Sequence, residues 1–189
     1  MRPYVSVDIE TTGIDDDSHI LQIAAVYDDL KTPINELPKF NHAIKYEKLT
    51  HCEPYALGMN AELLKKMMNK DFPTSSPHDS CVAFLNWLLS LGFNTKDRTL
   101  FAGKNVASFD IPKLKLHFYK HSRGLNFDDL IHYKTLDVGS LYFDTFGDNV
   151  SLSKINELTG RKEVSHDALD DALDVVYAVR HKLGVKTNG

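Results

Sequence analysis

The stretch Tyr4-Val5-Ser6-Val7-Asp8-Ile9-Glu10 decides how this chain is read. Side chains alternate across a β-strand, so Val5, Val7 and Ile9 point to one face while Ser6, Asp8 and Glu10 point to the other. Two carboxylates therefore stand side by side on a strand otherwise composed for burial. Thr11-Thr12-Gly13 follows and ends the strand in a turn. Like charges this close repel unless a cation lies between them, and an all-oxygen donor set suits a hard ion such as Mg²⁺ or Mn²⁺. An edge strand with a solvated acidic face fits the same seven residues, so the remainder of the chain has to separate the two readings.

The chain has 189 residues, 42% of them hydrophobic and 25% charged, which suits one soluble domain over residues 1–189 with a core large enough to need no staples. A net charge of −4 provides no general attraction for nucleic acid. Phosphate binding must then be local or run through metal ions. Cys52 and Cys81 have no paired spacing and are expected as free thiols of a reducing compartment. The first strand starts at once, and no apolar run approaches the ~20 residues that span a bilayer. The expectation is a cytoplasmic protein with no membrane partner.

Beyond Gly13, Asp15-Asp16-Asp17-Ser18 reads as a solvated loop tip, and Ile20 to Tyr27 as a second strand. Phe40 to Tyr46 alternates as a third, so the first third of the chain predicts an antiparallel meander. Helices come next. Asn60 is placed as an N-cap before Leu63, Leu64, Met67 and Met68 at helical spacing. Ser76-Pro77-His78-Asp79 opens another helix with an N-cap, a proline at the first position and an acid three residues after the cap. That helix is filled by Val82, Leu85, Trp87, Leu88 and Leu89 and stopped at Gly92. Thr99 to Ala102 is a short buried strand. Strands followed by strands alternating with helices predict an α/β fold with a mixed central sheet flanked by helices.

Two later stretches add carboxylates. In Gly103-Lys104-Asn105-Val106-Ala107-Ser108-Phe109-Asp110, a strand hands over to a helix at the sheet edge where α/β folds place ligands. Asp110 falls at the helix start, a position that taken alone signifies capping. The helix carries Lys113, Lys115, His117, Lys120, His121 and Arg123, a basic run that reads mainly as a solvated face; the i, i+4 pair His117 and His121 lacks a third zinc ligand. After a short helix from Ser151 to Gly160 comes Ser165-His166-Asp167-Ala168-Leu169-Asp170-Asp171-Ala172. Ala168, Ala172, Val175, Val176 and Val179 define its buried arc, with Asp167, Asp170 and Asp174 on the solvated side. Asp171 alone lies at the margin of the apolar arc, where a carboxylate requires a partner.

Asp8-x-Glu10 on a first strand, Asn105 to Asp110 before a helix, and His166-x4-Asp171 near the end together resemble the DEDDh exonucleases, ribonuclease-H-like 3′→5′ exonucleases that include oligoribonuclease, ribonuclease T and polymerase proofreading subunits. The resemblance runs from Tyr4 to about Val179. It implies a ribonuclease-H-like fold and hydrolysis of phosphodiester bonds at the 3′ ends of single-stranded RNA or DNA, releasing nucleoside 5′-monophosphates. It further implies that Asp8, Glu10, Asp110 and Asp171 hold two Mg²⁺ or Mn²⁺ ions, with Asp8 shared between them, and that His166 takes the proton of the attacking water. Thr11, Thr12 and Gly13 would contact the terminal nucleotide. Tyr55, Leu57, Met59 and Asn60 would wedge against terminal bases, Asn105 would join the substrate site, and Asp137 would act as a structural acid. The family includes dimers and polymerase-associated subunits, so a homodimer and a polymerase or replication partner are among the partners it implies. Two departures stand out: Lys104 replaces a histidine common before Asn105, and the gap from Asn105 to Asp110 is one residue longer than in proofreading enzymes. The longer gap is similar to oligoribonuclease and tilts the expectation toward RNA or short oligonucleotides. The competing readings are a non-catalytic nucleic-acid-binding or polymerase-associated module, and an endonuclease of the same broad fold.

Overall fold

The structure, a computed structural model, describes residues 1–161 and 167–185. Strands β1 (Tyr4–Thr11), β2 (Ile20–Asp28) and β3 (Lys39–Ile44) form the expected antiparallel meander. A two-residue β4 (Thr74–Ser75) lies parallel to β3. On the other side, β5 (Thr99–Gly103) runs parallel to β1, and β6 (Ile131–Asp137) runs parallel to β5. The sheet order is β4-β3-β2-β1-β5-β6, which makes β1 an interior strand and removes the solvated-edge reading of Asp8 and Glu10.

The helices are α1 (Pro54–Met59), α2 (Ala61–Met68), α3 (Pro77–Ser90), α4 (Asp110–His121), α5 (Val138–Leu141), α6 (Phe143–Phe146), α7 (Leu152–Thr159) and α8 (Ala168–Lys182). They divide between two cores. Val5, Val7 and Ile9 pack with Phe84 and Leu88 of α3 and Leu114 and Phe118 of α4. The opposite face of the sheet packs Tyr4, Val26 and Ala102 against Ala172, Val175, Val176 and Val179 of α8 and Ile155 of α7. Each Val or Ile fully buried in these layers contributes about 1.5–3 kcal/mol. Period-two alternation along β1 consequently delivers Asp8 and Glu10 to the α8 side. There the Ser6 hydroxyl donates to the Ala172 carbonyl at 2.8 Å, and the small Ala168 and Ala172 let the helix approach the strand closely.

Several local expectations are met. Ser76 caps α3 by accepting from the Asp79 amide at 3.1 Å, Gly92 lies beyond the helix at φ +92°, and Ser151 caps α7. Cys52 and Cys81 are free. Among the described residues no helix is long and apolar enough to cross a membrane.

Other elements differ. Asn60 joins α1 to α2 and makes no side-chain cap; its amide donates instead to the carbonyls of Thr11 (3.2 Å) and Ala56 (3.0 Å), which satisfy a buried donor. Met68 and Leu89 are exposed, because α2 and α3 each bury one face only. Asp174, placed by its spacing on the solvated side of α8, is buried against α7, where Arg161 Nε (2.8 Å) and Asn156 Nδ2 (2.5 Å) donate to it. The α4 basic run is not a solvated face throughout. Lys113 is buried and donates to the Asp15 carbonyl, while Lys120 donates to that of Asp16 at 3.2 Å, so the Asp15–Asp17 tip is tethered to α4. His117 is buried against Ser80 Oγ (3.1 Å) and the Tyr46 hydroxyl (3.4 Å), and burial pushes its pKa down to about 3.

Candidate active site

Three separate elements meet at the carboxyl edge of β1 and β5. Residues Asp8 and Glu10 occupy the end of β1, beyond the level at which β5 pairs with it at Val5–Phe101 and Ser6–Ala102. The chain leaves β5 at Gly103, turns through Asn105, and enters α4 at Asp110. Asp171 sits in the first turn of α8, whose N-cap Asp167 accepts from the Leu169 amide at 3.1 Å. Carboxylate oxygens of Asp8, Glu10 and Asp171 all lie within 4.8 Å of one another. Asp110 completes the group electrostatically and is itself buried.

The electrostatics of this cluster are those of anions withdrawn from water. Burial raises the Asp8 carboxyl well above the usual range, and Asp110, Asp171, Glu10 and Asp167 push it further in the same direction. Burial lifts Glu10 to about 7; the Asn60 amide opposes the shift while Asp171 and Asp167 add to it. Asp110 rises to about 8, again chiefly by burial, although the backbone amides of Asp110 and Ile9 stabilise its charge. Among the described residues the side chains acting on Asp8 are acidic, and an oxygen-only donor set of this charge fits a hard divalent cation. The donors are compatible with a divalent cation of the kind the resemblance implies.

The flanking loops are held firmly. The Thr12 amide donates to the His19 carbonyl (2.9 Å), its carbonyl accepts from the Glu53 amide (2.7 Å), and its hydroxyl accepts from the His19 amide at 2.8 Å. Glu53 Oε1 also accepts from the Ile14 amide at 2.8 Å. A Cβ on Gly13 would stand 2.5 Å from that oxygen, so the turn admits only glycine without displacing Glu53. Glu53 and Asn60, at the two ends of α1, both grip the Thr11–Gly13 turn, and so fasten to it the helix that carries Tyr55, Leu57 and Met59. Tyr55 and Met59 are exposed there and Leu57 is half-buried. Glu53 was not singled out from the sequence; its only signal is the following Pro54, a helix-start mark.

Asn105 adopts a left-handed backbone (φ +58°) and donates its amide to Asp137 Oδ2 at 2.6 Å, while Lys104 Nζ donates to its side chain at 3.0 Å. Asp137 also caps α5 through the Ser140 amide at 2.8 Å. Partial burial opposes its charge, yet the amides of Ser140 and Asn105 outweigh this and hold its carboxyl below the usual range. Asp137 is accordingly an ionised brace for the turn that leads to Asp110. His166 lies outside the described residues.

No protein-family model and no curated protein matches the chain. Among solved structures it is similar to E. coli exonuclease I in complex with a dT13 oligonucleotide, with a TM-score of 0.67 and 14% identity over 97% of this chain and 41% of that one. It is also similar to exonuclease I from Methylocaldum szegediense, with a TM-score of 0.67 and 15% identity over 96% of this chain and 41% of that one. Cell-death related nuclease 4 superposes with a TM-score of 0.62 and 17% identity, over 96% of this chain and 64% of that one. The chain has the ribonuclease-H-like fold of these nucleases. It spans about two fifths of the length of the exonuclease I chains. At the level of the fold, the DEDDh resemblance read from the motifs is met.

Proposed function

We propose that the protein is a metal-dependent 3′→5′ exonuclease acting on single-stranded nucleic acid and releasing nucleoside 5′-monophosphates. The observation that carries this reading is the convergence of Asp8, Glu10 and Asp171 within 4.8 Å at the carboxyl edge of the sheet, with buried Asp110 close enough to raise the Asp8 carboxyl. Burying these carboxyls together raises the cost of charging each of them, a cost that a bound cation offsets. Asp8, Glu10, Asp110 and Asp171 would hold two Mg²⁺ or Mn²⁺ ions, which supply an activated water and neutralise charge at the leaving oxygen. The clamped Thr11–Gly13 turn and the exposed side chains of α1 would seat the terminal nucleotide, with Asn105 on the far side of the site. His166, five residues before Asp171 and ordinarily titrating near 6.5, has the chemistry to accept the proton of the attacking water. Structural neighbours crystallised with single-stranded DNA support a single-stranded substrate, while the longer Asn105–Asp110 spacing favours RNA or short oligonucleotides.

The test is a pair of matched 5′-labelled DNA and RNA 12-mers incubated with Mg²⁺ or Mn²⁺. Shortening to a ladder from the 3′ end is expected, abolished by chelation, with the activity of His166→Ala reduced on the order of 10²–10⁴-fold. Failure of both strands to shorten, or full activity in His166→Ala, overturns the assignment or the role of the histidine respectively.

A further inference from the structure

Edge strand β6 is interrupted where it borders α4. Thr99 of β5 pairs with Ile131 and Phe101 pairs with Thr135, so two steps along β5 correspond to four along β6. His132, Tyr133 and Lys134 take up the excess as a bulge, a device that re-aims side chains at sheet edges and near active sites. The Lys134 amide donates to His132 Nδ1 at 3.0 Å, which fixes the bulge from within. Tyr133 is left 82% exposed, with the His132 ring stacked on it at 4.7 Å and 25° and Lys134 Nζ 5.4 Å from its centroid.

The bulge lines a groove of about 470 Å³ together with Arg98, Ala107, Ile111 and Lys115. At one end the lining reaches Ala107, in the loop that leads into α4 three residues before Asp110. It then follows β6 from Thr135 to Ile131, opposite two steps of β5 and so roughly 7 Å at about 3.3 Å per residue. Arg98 and Lys115 line the groove and Lys134 flanks it beside Tyr133; Asp128, the one acid in the lining, pairs with Lys115 at 2.7 Å and offsets it, which leaves Arg98 and Lys134 as the cations open to a phosphate. Exposed stacked rings interleaved with cations are what a single-stranded nucleic acid requires, since every base has a π-face and every linkage a negative charge. The same bulge breaks the regular row of edge amides, and Lys134 guards it, so addition of a protein β-strand is disfavoured.

We propose that this groove holds the strand upstream of the terminal nucleotide, one base stacking on Tyr133 and phosphates facing Arg98 and Lys134. The inference rests on the exonuclease reading and adds to it a preference for substrates of several nucleotides over dinucleotides. It is tested by steady-state cleavage of matched 2-mers and 12-mers, in DNA and RNA, by the wild type, Tyr133→Ala and Tyr133→Phe. Tyr133→Ala is expected to raise KM for the 12-mer about tenfold with kcat unchanged, leaving the loss confined to the long substrate, and Tyr133→Phe is expected to restore it. Equal effects on both lengths, or none, overturn the groove while leaving the exonuclease intact. Should the wild type cleave neither length, the exonuclease reading fails, and fluorescence anisotropy of a labelled dT12 then decides the groove alone: tenfold weaker binding by Tyr133→Ala supports it, and unchanged binding rejects it.

Discussion

The two ends of the layer formed by β1, β2 and α8 treat buried carboxylates in opposite ways. At one end, Asp28 is fully buried and receives Arg180 in a two-pronged ion pair, Nη2 to Oδ1 at 2.6 Å and Nε to Oδ2 at 3.0 Å. The Tyr4 hydroxyl and the Leu30 amide add hydrogen bonds at 2.8 and 2.7 Å, and the Thr32 carbonyl takes the remaining reach of Arg180 at 2.7 Å. At the other end, Asp8, Glu10 and Asp171 face one another and Asp110, and among the described residues the side chains acting on Asp8 are other acids. One helix connects the two: Arg180 in the last turn of α8 and Asp171 in the first. The same kind of group is neutralised where it serves the fold and left crowded where it serves chemistry. Stability and function should therefore respond in opposite senses to the loss of a carboxylate at the two ends.

Asp8→Asn probes the crowded end. Activity on a single-stranded 12-mer is expected to fall on the order of 10³-fold, the scale of losing a principal electrostatic group. The metal-free variant should nevertheless melt higher than the wild type at pH 8, because an anion has been removed from a like-charged cluster. A lower melting temperature would show that the cluster is compensated within the protein and would undo the contrast.

Asp28→Asn probes the paired end and should do the reverse. Leaving Arg180 buried without its anion is expected to cost about 3–5 kcal/mol of stability, read by urea denaturation, while kcat of the folded fraction is unchanged. Combining it with Arg180→Met should recover much of the loss, since two apolar or neutral groups replace an orphaned charge. No recovery in the double variant would mean that Thr32 and Tyr4 depend on Arg180 for more than its charge.

The difference between the ends was unevenly legible in the chain. Asp8, Glu10, Asp110 and Asp171 were readable because each breaks a local pattern: two acids on a buried strand, an acid where a strand becomes a helix, an acid beside an apolar arc. The meander was readable because β1, β2 and β3 are adjacent in sequence and joined by short turns. Arg180 and Asp28 break nothing that a single segment reveals; they are 152 residues apart, and their pairing exists only once α8 lies on β2. Asp174 was placed in solvent for the same reason, since the wheel of α8 gives no sign of α7 on its other flank. Strand β6 escaped notice because its bulge destroys the period-two alternation by which strands are recognised. Interactions within an element were legible, and interactions between distant elements were not.

The smallest expected effect is a pH dependence that separates the ends without mutation. The carboxyls of Asp8, Glu10 and Asp110 are raised in the folded protein, Glu10 to about 7 and Asp110 to about 8, whereas unfolded carboxylates titrate near about 4. Between these limits the metal-free native state binds more protons than the unfolded chain, so its stability declines as pH rises from about 4 through about 8. Mg²⁺ competes with those protons for the same oxygens. Saturating Mg²⁺ should accordingly raise the melting temperature by about 3 °C more at pH 8 than at pH 5. In Asp28→Asn the Mg²⁺-dependent increment should persist on a lowered baseline, and in Asp8→Asn it should shrink at both pH values. An increment of equal size at pH 5 and pH 8 in the wild type would place the bound metal away from the raised carboxyls.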